Sequence, residues 1–227
     1  MRLTIRDLEK EYDGLTILNG AGYTFEQGKA YGIISRKGAG KTTFLNCING
    51  EINSYKGDIY LVQGNYTSKV SYRDCTTLFP NPVLPEFMTG YEYVKYYMDI
   101  NGVNTDIAKP QDYLNKVELE PADQNRLIKE YTIEMKNSVL MAAMYAAAPA
   151  IILMDEPFKD VGIPSANVVK EAINELKKDH IVIVAVHDIS RMGGVFDELV
   201  VLEHGEFTGI DKSIIDECDF SELYKDR

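Results

Sequence analysis

Residues 34–43, ISRKGAGKTT, combine glycines, a lysine and hydroxyl side chains in the order that phosphate binding requires. In the pattern G-x-x-x-x-G-K-S/T, glycines let backbone N–H groups turn toward phosphate, the lysine adds a charge, and the hydroxyl reaches Mg²⁺. Gly40, Lys41 and Thr42 fit this pattern, and Ser35 stands in place of its first glycine. Because a Cβ restricts positive φ, we expect Ser35 to weaken the loop without abolishing phosphate binding. Taken alone, KGAGK is equally compatible with an exposed turn.

The segments on either side of this loop favour phosphate binding. The apolar run at 29–35 predicts a buried strand, and the apolar spacing at 42–49 predicts a helix. A strand, a loop and a helix in this order are the context in which a phosphate loop works. The predicted phosphate-binding residues are Ser35, Gly38, Ala39, Gly40, Lys41, Thr42 and Thr43.

A second apolar run ends in two carboxylates. Residues 150–154 are apolar and are followed by Asp155, Glu156 and Pro157. This is typical of a central parallel strand that delivers acids to its carboxyl end, where ligands bind. In that setting Asp155 would hold magnesium, and Glu156 would polarise an attacking water. On its own, the tripeptide also fits a turn that ends an ordinary strand.

A third apolar run ends in a histidine. Residues 181–186, IVIVAV, predict a buried strand that is followed by His187. A lone histidine at such a position is more often a satisfied surface or core residue. In the company of a phosphate loop and an acid pair, however, it can contact a γ-phosphate. Glu156 and His187 are therefore the candidate catalytic residues.

Composition limits the classes of protein that the chain can belong to. Its 227 residues, 45% hydrophobic and 26% charged, indicate one large globular domain or a domain that carries a subdomain. The net charge of -11 argues against general nucleic-acid binding, which needs a basic face. No run reaches the roughly 18 apolar residues of a membrane helix, so we expect any membrane link to come through a partner. The three cysteines lack metal-ligand spacing and favour reduced thiols in a cytoplasmic setting.

Taken together, KGAGKTTFLNCINGE, PAIILMDEP and VIVAVHD resemble the nucleotide-site motifs of the ATP-binding subunits of ABC transporters. The resemblance runs from about residue 3 to about residue 209. It implies an α/β P-loop NTPase fold with a mainly parallel sheet core, an antiparallel β portion and a helical subdomain. The subdomain would occupy approximately 80–146 within a single domain spanning 1–227. ATP and Mg²⁺ are the implied cofactors, with Thr42 and Asp155 on the metal and Tyr12 stacked on adenine.

The same resemblance implies two kinds of partner. The segment LPEFMTGYEYVKYYM is similar to the start of the family's helical subdomain, which faces a membrane-embedded transporter subunit. A second ATP-binding subunit, identical or different, would complete each nucleotide site, because the family pairs one chain's phosphate loop with the other chain's signature motif. The chain would then be cytoplasmic, held at the inner face of the cell membrane by its partner.

Several of the family's motifs are altered in this sequence. Where the family has Leu-Ser-Gly-Gly-Gln, residues 131–135 read YTIEM, which keeps a hydroxyl at Thr132 but loses both glycines. Glu134 brings a negative charge toward a polyanion, and two like charges about 4 Å apart cost on the order of 4 kcal/mol at an effective dielectric of about 20. Pro80 takes the place of the family's magnesium- and water-contacting glutamine. The next family loop keeps only Asp160 near its usual aspartate.

These features predict an ATP-binding and ATP-hydrolysing subunit that powers a separate membrane subunit. We expect it to work best when paired with a chain that supplies an intact signature, and to show low or no activity alone. One alternative, suggested by YTIEM and Pro80, is a regulatory or structural ATP-binding subunit with little hydrolysis. A small-molecule kinase is a third alternative, which Glu156 and His187 fit less well. The sequence leaves open the cargo, the direction of transport and the choice between homodimer and heterodimer.

Overall fold

The computed structural model describes residues 1–80, 82–104, 107–157, 159, 163–187, 189 and 194–211. The prediction that concerns Asp160 lies outside these described residues. In chain order, the elements are β1 (Arg2–Tyr12), β2 (Leu15–Glu26), β3 (Ala30–Ile34), α1 (Lys41–Ile48), β4 (Lys56–Gln63), β5 (Tyr66–Lys69), β6 (Cys75–Leu78), α2 (Gly90–Ile100), α3 (Pro110–Lys116), α4 (Ile133–Ala147), β7 (Ile151–Asp155), α5 (Ile163–Leu176), β8 (Ile181–Val186), β9 (Glu198–Glu203) and β10 (Glu206–Asp211).

The described strands form two sheets of different kinds. Four strands make an antiparallel sheet in the order β2-β1-β4-β5, and six make a second sheet in the order β10-β9-β3-β8-β7-β6. In the second sheet, β9, β3, β8, β7 and β6 pair in parallel, and β10 closes an antiparallel hairpin with β9. This arrangement confirms the predicted mainly parallel core with an antiparallel portion.

The central strands β3, β7 and β8 are buried along their whole length, which explains why they read as continuous apolar runs. Alternate residues of β3 point to opposite layers: Ile33 packs with β1, β2 and α1, whereas Ile34 packs with the layer that contains α2, α4 and α5. Neighbouring strands repeat the pattern, with Leu153 on the first side and Met154 on the second. Helix α1 and the antiparallel sheet therefore cover one face, and the remaining helices cover the other.

Helices fill the segment in which the helical subdomain is predicted. Helix α2 begins after Thr89, whose side chain accepts a hydrogen bond from the backbone N–H of Glu92, as an N-cap residue does. Tyr93 on α2 is buried in the core, whereas Tyr96 is 51% exposed. The limits of a subdomain at 80–146 stay a prediction.

Helix α4 runs from the segment predicted to replace the family's signature to the strand that carries Asp155. It begins after Thr132, whose hydroxyl accepts a hydrogen bond from the N–H of Met135. It ends at Ala148, which adopts a left-handed conformation with φ of 45° just before Pro149. In the part of the chain that the structure describes, we find no helix long and apolar enough to cross a bilayer.

The packing of β1 against β4 depends on Gly57. Its φ is 90°, and a Cβ at this position would lie 2.3 Å from the backbone oxygen of Asp7. Gly57→Ala is therefore expected to lower the free energy of unfolding by about 3 kcal/mol, measured by chemical denaturation. Gly64→Ala is the matched control, because Gly64 also has positive φ but a Cβ added there would meet no atom within 4 Å, so its expected cost is about 1 kcal/mol. Equal losses in the two variants would contradict the steric argument.

Candidate functional site

The candidate site lies where three neighbouring parallel strands end. Strand β8 lies between β3 and β7, with Ile34 paired to Val186 and Asp155 paired to Ala185. Because their carboxyl ends reach the same edge, the loop after β3, His187 after β8 and the carboxylates at the end of β7 are brought together. The fourth strand in this row, β6, delivers Pro80 two residues beyond its last residue, Leu78.

The loop between β3 and α1 has the backbone conformation of a phosphate cradle. Gly38 and Gly40 have φ values of 78° and 112°, a region that glycine enters freely. A Cβ at Gly40 would lie only 2.6 Å from Cγ2 of Ile17 on β2, so glycine is also required sterically. Helix α1 begins directly afterwards at Lys41, and the N–H groups of its first turn point toward the loop. Ala39 and Thr43 lie in this loop and in this first turn.

Ser35 fits the loop without the expected strain. It is 1% exposed, and its φ is not positive, so a Cβ is accommodated in ordinary backbone geometry. The expectation of a backbone cost at this position is therefore wrong. The Ser35 hydroxyl donates to the carbonyl of Arg36 at 2.9 Å and accepts from Lys41 Nζ at 3.2 Å. The serine that replaces the first glycine of the pattern thus acts as a polar partner of the loop lysine.

The ammonium group of Lys41 is buried beside a carboxylate. The residue is 9% exposed, and Nζ lies 4.0 Å from Oε1 of Glu156 and 3.5 Å from the carbonyl oxygen of Ser35. Burial lowers the pKa of Lys41 from its ordinary value, although the Glu156 and Asp155 carboxylates oppose the shift. Burial also raises the pKa of Glu156, against the effects of Lys41 and of the His187 N–H. The two groups offset part of each other's desolvation cost.

Thr42 and Asp155 place two oxygen atoms of the kind that binds metal ions side by side. The Thr42 hydroxyl donates to Oδ2 of Asp155 at 2.7 Å, and Asp155 is 4% exposed. A hydroxyl and a carboxylate oxygen held this close match the hard oxygen ligands that Mg²⁺ prefers. The two predicted metal ligands, which come from different elements, therefore suit a magnesium ion accompanied by phosphate.

Glu156 is held in an uncommon backbone conformation. Its φ is 50°, in the left-handed region, where a non-glycine residue costs about 1 kcal/mol or more. Its N–H donates to the carbonyl of Ala185 at 2.9 Å, and its Oε2 accepts from the N–H of His187 at 3.0 Å. These bonds fix the carboxylate relative to β8. Backbone strain of this kind is frequent at functional sites.

Tyr12 lies on the other sheet, at the tip of the β1–β2 hairpin. It pairs with Leu15 across the hairpin and is 43% exposed. The ammonium group of Lys10 lies 4.5 Å from the centre of its ring. Sequence reasoning missed Lys10, although a lysine two residues before the aromatic, on the apolar side of a strand, was an available signal.

Residues 131–135, the segment predicted to stand in place of the family's signature, lie at the N-terminus of α4 and make several local contacts. Tyr131 is 6% exposed, and its hydroxyl donates to the carbonyl of Asp123 at 2.6 Å. The Thr132 hydroxyl caps its own helix. Ile133 is 53% exposed in the first turn, and Glu134 adjoins it on the exposed surface. This helix end therefore presents an apolar side chain and a carboxylate where glycines would expose backbone N–H groups.

A nucleotide-binding P-loop protein is the class that this fold and site define. The family model described as ABC transporter matches residues 18–159, and the chain belongs to this family of ATP-binding subunits. It is 26% identical to a lantibiotic transport ATP-binding protein of Streptococcus pyogenes, an alignment that covers 88% of this chain and 90% of the relative. It is 28% identical to a tungstate uptake system ATP-binding protein of Peptoclostridium acidaminophilum, with 90% and 96% covered.

Solved structures show the same fold. An ATP-binding subunit of an ABC transporter superposes with a TM-score of 0.85 at 21% identity, covering 99% of this chain and 98% of that one. An ATP-binding cassette, solved as a dimer in a post-hydrolysis state with ADP and Pi, gives a TM-score of 0.80 at 20% identity, covering 92% and 98%.

The pH dependence of stability should report the burial of Glu156. A carboxyl whose folded-state pKa is raised contributes stability below its ordinary pKa and loses it as pH rises through the raised value. Glu156→Gln keeps an oxygen acceptor for His187 but does not ionise. The thermal midpoint of Glu156→Gln is compared with that of the unmodified chain at each pH. We expect the difference to shift in favour of the variant as pH increases from about 4, near the ordinary carboxyl pKa, toward neutrality. Glu51→Gln, on the exposed surface, controls for loss of one charge. A difference independent of pH would contradict the desolvation argument.

Proposed function

We propose that this chain is an ATP-hydrolysing subunit that powers a separate membrane subunit, and that it works best with a second chain that supplies an intact signature. The observation that carries this proposal is the contact set at one sheet edge: Lys41 beside Glu156, Thr42 bonded to Asp155, and His187 bonded to Glu156. These contacts bring together a phosphate-binding cation, metal-binding oxygens and a candidate base.

Nucleotide phosphates would replace the present partners of Lys41. Its contacts with Ser35 and Glu156 are long, at 3.2 to 4.0 Å, and its charge is largely removed from water. A polyanion held by the N–H groups of the loop and of α1 would compensate this buried charge better than a single carboxylate does. Tyr12 would receive the adenine base on its exposed ring.

Thr42 and Asp155 would hold Mg²⁺ together with the phosphates. When bound, the ion neutralises charge that develops on the β- and γ-phosphate oxygens. Glu156 would accept the proton of the attacking water, because a base whose pKa is raised toward the working pH accepts a proton more readily. His187 would contact the γ-phosphate. Pro80, at the same edge, offers no side-chain group for metal or water, so the site works without that contact.

The altered signature supports pairing with a different chain. Each site in a head-to-tail dimer needs a signature from the opposite subunit, and the N-terminus of α4 presents Ile133 and Glu134 there. A carboxylate opposite a triphosphate is unfavourable, and the extra side chains restrict the approach of the backbone. A site that combines this chain's phosphate loop with an intact signature from a partner would hydrolyse ATP. The opposite site would be impaired.

A surface for the membrane subunit lies in the segment before α2. Val83 is 98% exposed and Phe87 is 80% exposed. Two large apolar side chains this exposed and this near in sequence indicate a surface that a partner covers. The segment lies between β6, which ends beside the nucleotide site, and α2, so ATP-dependent movement at the site would reach the partner here. The cargo would then be determined by the membrane subunit.

A regulatory ATP-binding subunit with little turnover is the second candidate. Two observations favour it: Pro80 provides no amide at the site, and Thr132 uses its hydroxyl on its own helix. In that case ATP would be held between Lys41, Thr42 and Tyr12, and closure of the dimer rather than hydrolysis would be its contribution. The expected difference is that transport by the assembled complex would survive Glu156→Gln.

Replacement of the loop lysine tests the phosphate site. Lys41→Ala removes the buried ammonium group and should weaken MgATP binding by about 10- to 100-fold, as expected for a hydrogen bond to a charged group. Binding is measured by isothermal titration calorimetry. Lys37→Ala is the matched control, because Lys37 lies in the same loop but is exposed. Unchanged MgATP affinity in Lys41→Ala would show that the loop does not bind phosphate.

Turnover by the purified chain tests the role of the signature. We expect ATP binding with little phosphate release at any protein concentration, with Glu156→Gln as the baseline. Restoring the glycines in Ile133→Gly/Glu134→Gly should give Glu156-dependent turnover that rises faster than linearly with concentration, because two copies form each site. Ile133→Ala/Glu134→Ala removes the charge but keeps a Cβ at both positions, and so separates repulsion from steric exclusion. Strong turnover by the unmodified chain would overturn the requirement for a different partner.

A further inference from the structure

Lys10 is a buried cation outside the phosphate site. It is 8% exposed on β1, on the same side of the strand as Leu8, which is fully buried. Its Nζ donates to the backbone oxygen and to the hydroxyl of Ser54, both at 2.7 Å, and lies 4.5 Å from the centre of the Tyr12 ring. Burial of an ammonium group is unfavourable unless it is compensated. Two short hydrogen bonds and one aromatic face provide that compensation.

These contacts connect Tyr12, the candidate adenine-binding residue, with the segment that follows α1, the helix that begins at the phosphate loop. Ser54 lies in the segment that follows α1, the helix that begins at Lys41. On the same hairpin as Tyr12, Ile17 contacts the phosphate loop at Gly40. Ile17 is two residues along β2 from Leu15, the partner of Tyr12, which corresponds to roughly 7 Å of strand. The aromatic ring and the phosphate loop therefore belong to one connected unit.

We propose that Lys10 is a positioning residue for the nucleobase. Its ammonium group holds the ring of Tyr12 from one side, before any ligand binds, and leaves the other side to the base. A ring fixed in advance loses less side-chain freedom on binding than a mobile one, so the base binds more tightly. Because Nζ is anchored on Ser54 as well, the ring is held relative to the helix that carries the phosphate loop. This inference rests on the proposed role of Tyr12 in binding adenine.

The test compares two probes that differ only in the presence of a nucleoside. MgATP needs both the phosphate loop and the base-binding residue, whereas magnesium tripolyphosphate needs the loop alone. Calorimetry on the full chain should show that Lys10→Met weakens MgATP binding by about fivefold, as expected when one further side chain must be ordered on binding, and leaves tripolyphosphate binding unchanged. Lys10→Arg, which keeps the positive charge, should bind MgATP about as tightly as the unmodified chain. Lys56→Met is the matched control, because Lys56 is a neighbouring lysine that pairs with Glu9 at the surface.

A double-mutant cycle separates positioning from a general structural effect. In a Tyr12→Ala background, Lys10→Met should cause no further loss of MgATP affinity, since its effect acts through the ring. An equal loss with and without Tyr12 would overturn the proposal, and so would an equal loss for the two probes. If Lys10→Met does not fold, Lys10→Gln takes its place, because an amide can still donate to Ser54 while the charge is removed.

The two possible failures are distinguishable. If Tyr12→Ala leaves the ratio of the MgATP and tripolyphosphate affinities unchanged, Tyr12 does not bind the base, and the assignment of Tyr12 fails together with that of Lys10. If Tyr12→Ala lowers the ratio but Lys10→Met and Lys10→Gln do not, the base site stands and the positioning role of Lys10 is overturned.

Discussion

Lys41 carries its charge into a nearly dry position at the end of β3, and the surrounding groups are arranged to accommodate it. An ammonium group in such a place must be compensated, and here a serine and a glutamate do so at long range. The same burial that lowers the pKa of Lys41 raises that of Glu156, because each charged form is removed from water. The proposed phosphate ligand would compensate the Lys41 ammonium group, so the proposal rests on this buried charge as well as on the shape of the loop.

The layered architecture is what delivers these groups to one place. Because the central strands β3, β7 and β8 are buried on both faces, their registers are fixed by packing on two sides rather than one. Their carboxyl ends consequently align, and four neighbouring strands present the loop, His187, the two carboxylates and Pro80 at a single edge. Helix α1 and the antiparallel hairpin pack on one face, which brings Ile17 against Gly40. The core and the site therefore depend on the same packing.

Much of this arrangement could be predicted from local sequence. Continuous apolar runs indicate the buried strands. The phosphate-loop and acid motifs can be recognised from short segments, because backbone freedom and charge are properties of single residues. Contacts between distant residues could not be predicted in this way. The pairing of Lys10 with Ser54 joins residues 44 positions apart, and nothing in either local segment indicates it. The conformation of Ser35 was also missed, because the pattern specifies glycine whereas the actual φ depends on how β3 ends.

Helix α4 has a mechanical property that follows from its two ends. It is a continuous helix of 15 residues, about 22 Å long, with residues 131–135 at one end and β7 only three residues beyond the other. Any change in the angle between the helix and the strand must therefore be made within the three residues that connect them. One of these is Ala148, a non-glycine residue in the left-handed region, for which the range of tolerated rotation is narrow. The helix and the strand that carries Asp155 are thereby joined by a short connection with little backbone freedom, so a shift at residues 131–135 and a shift at β7 are expected to be coupled.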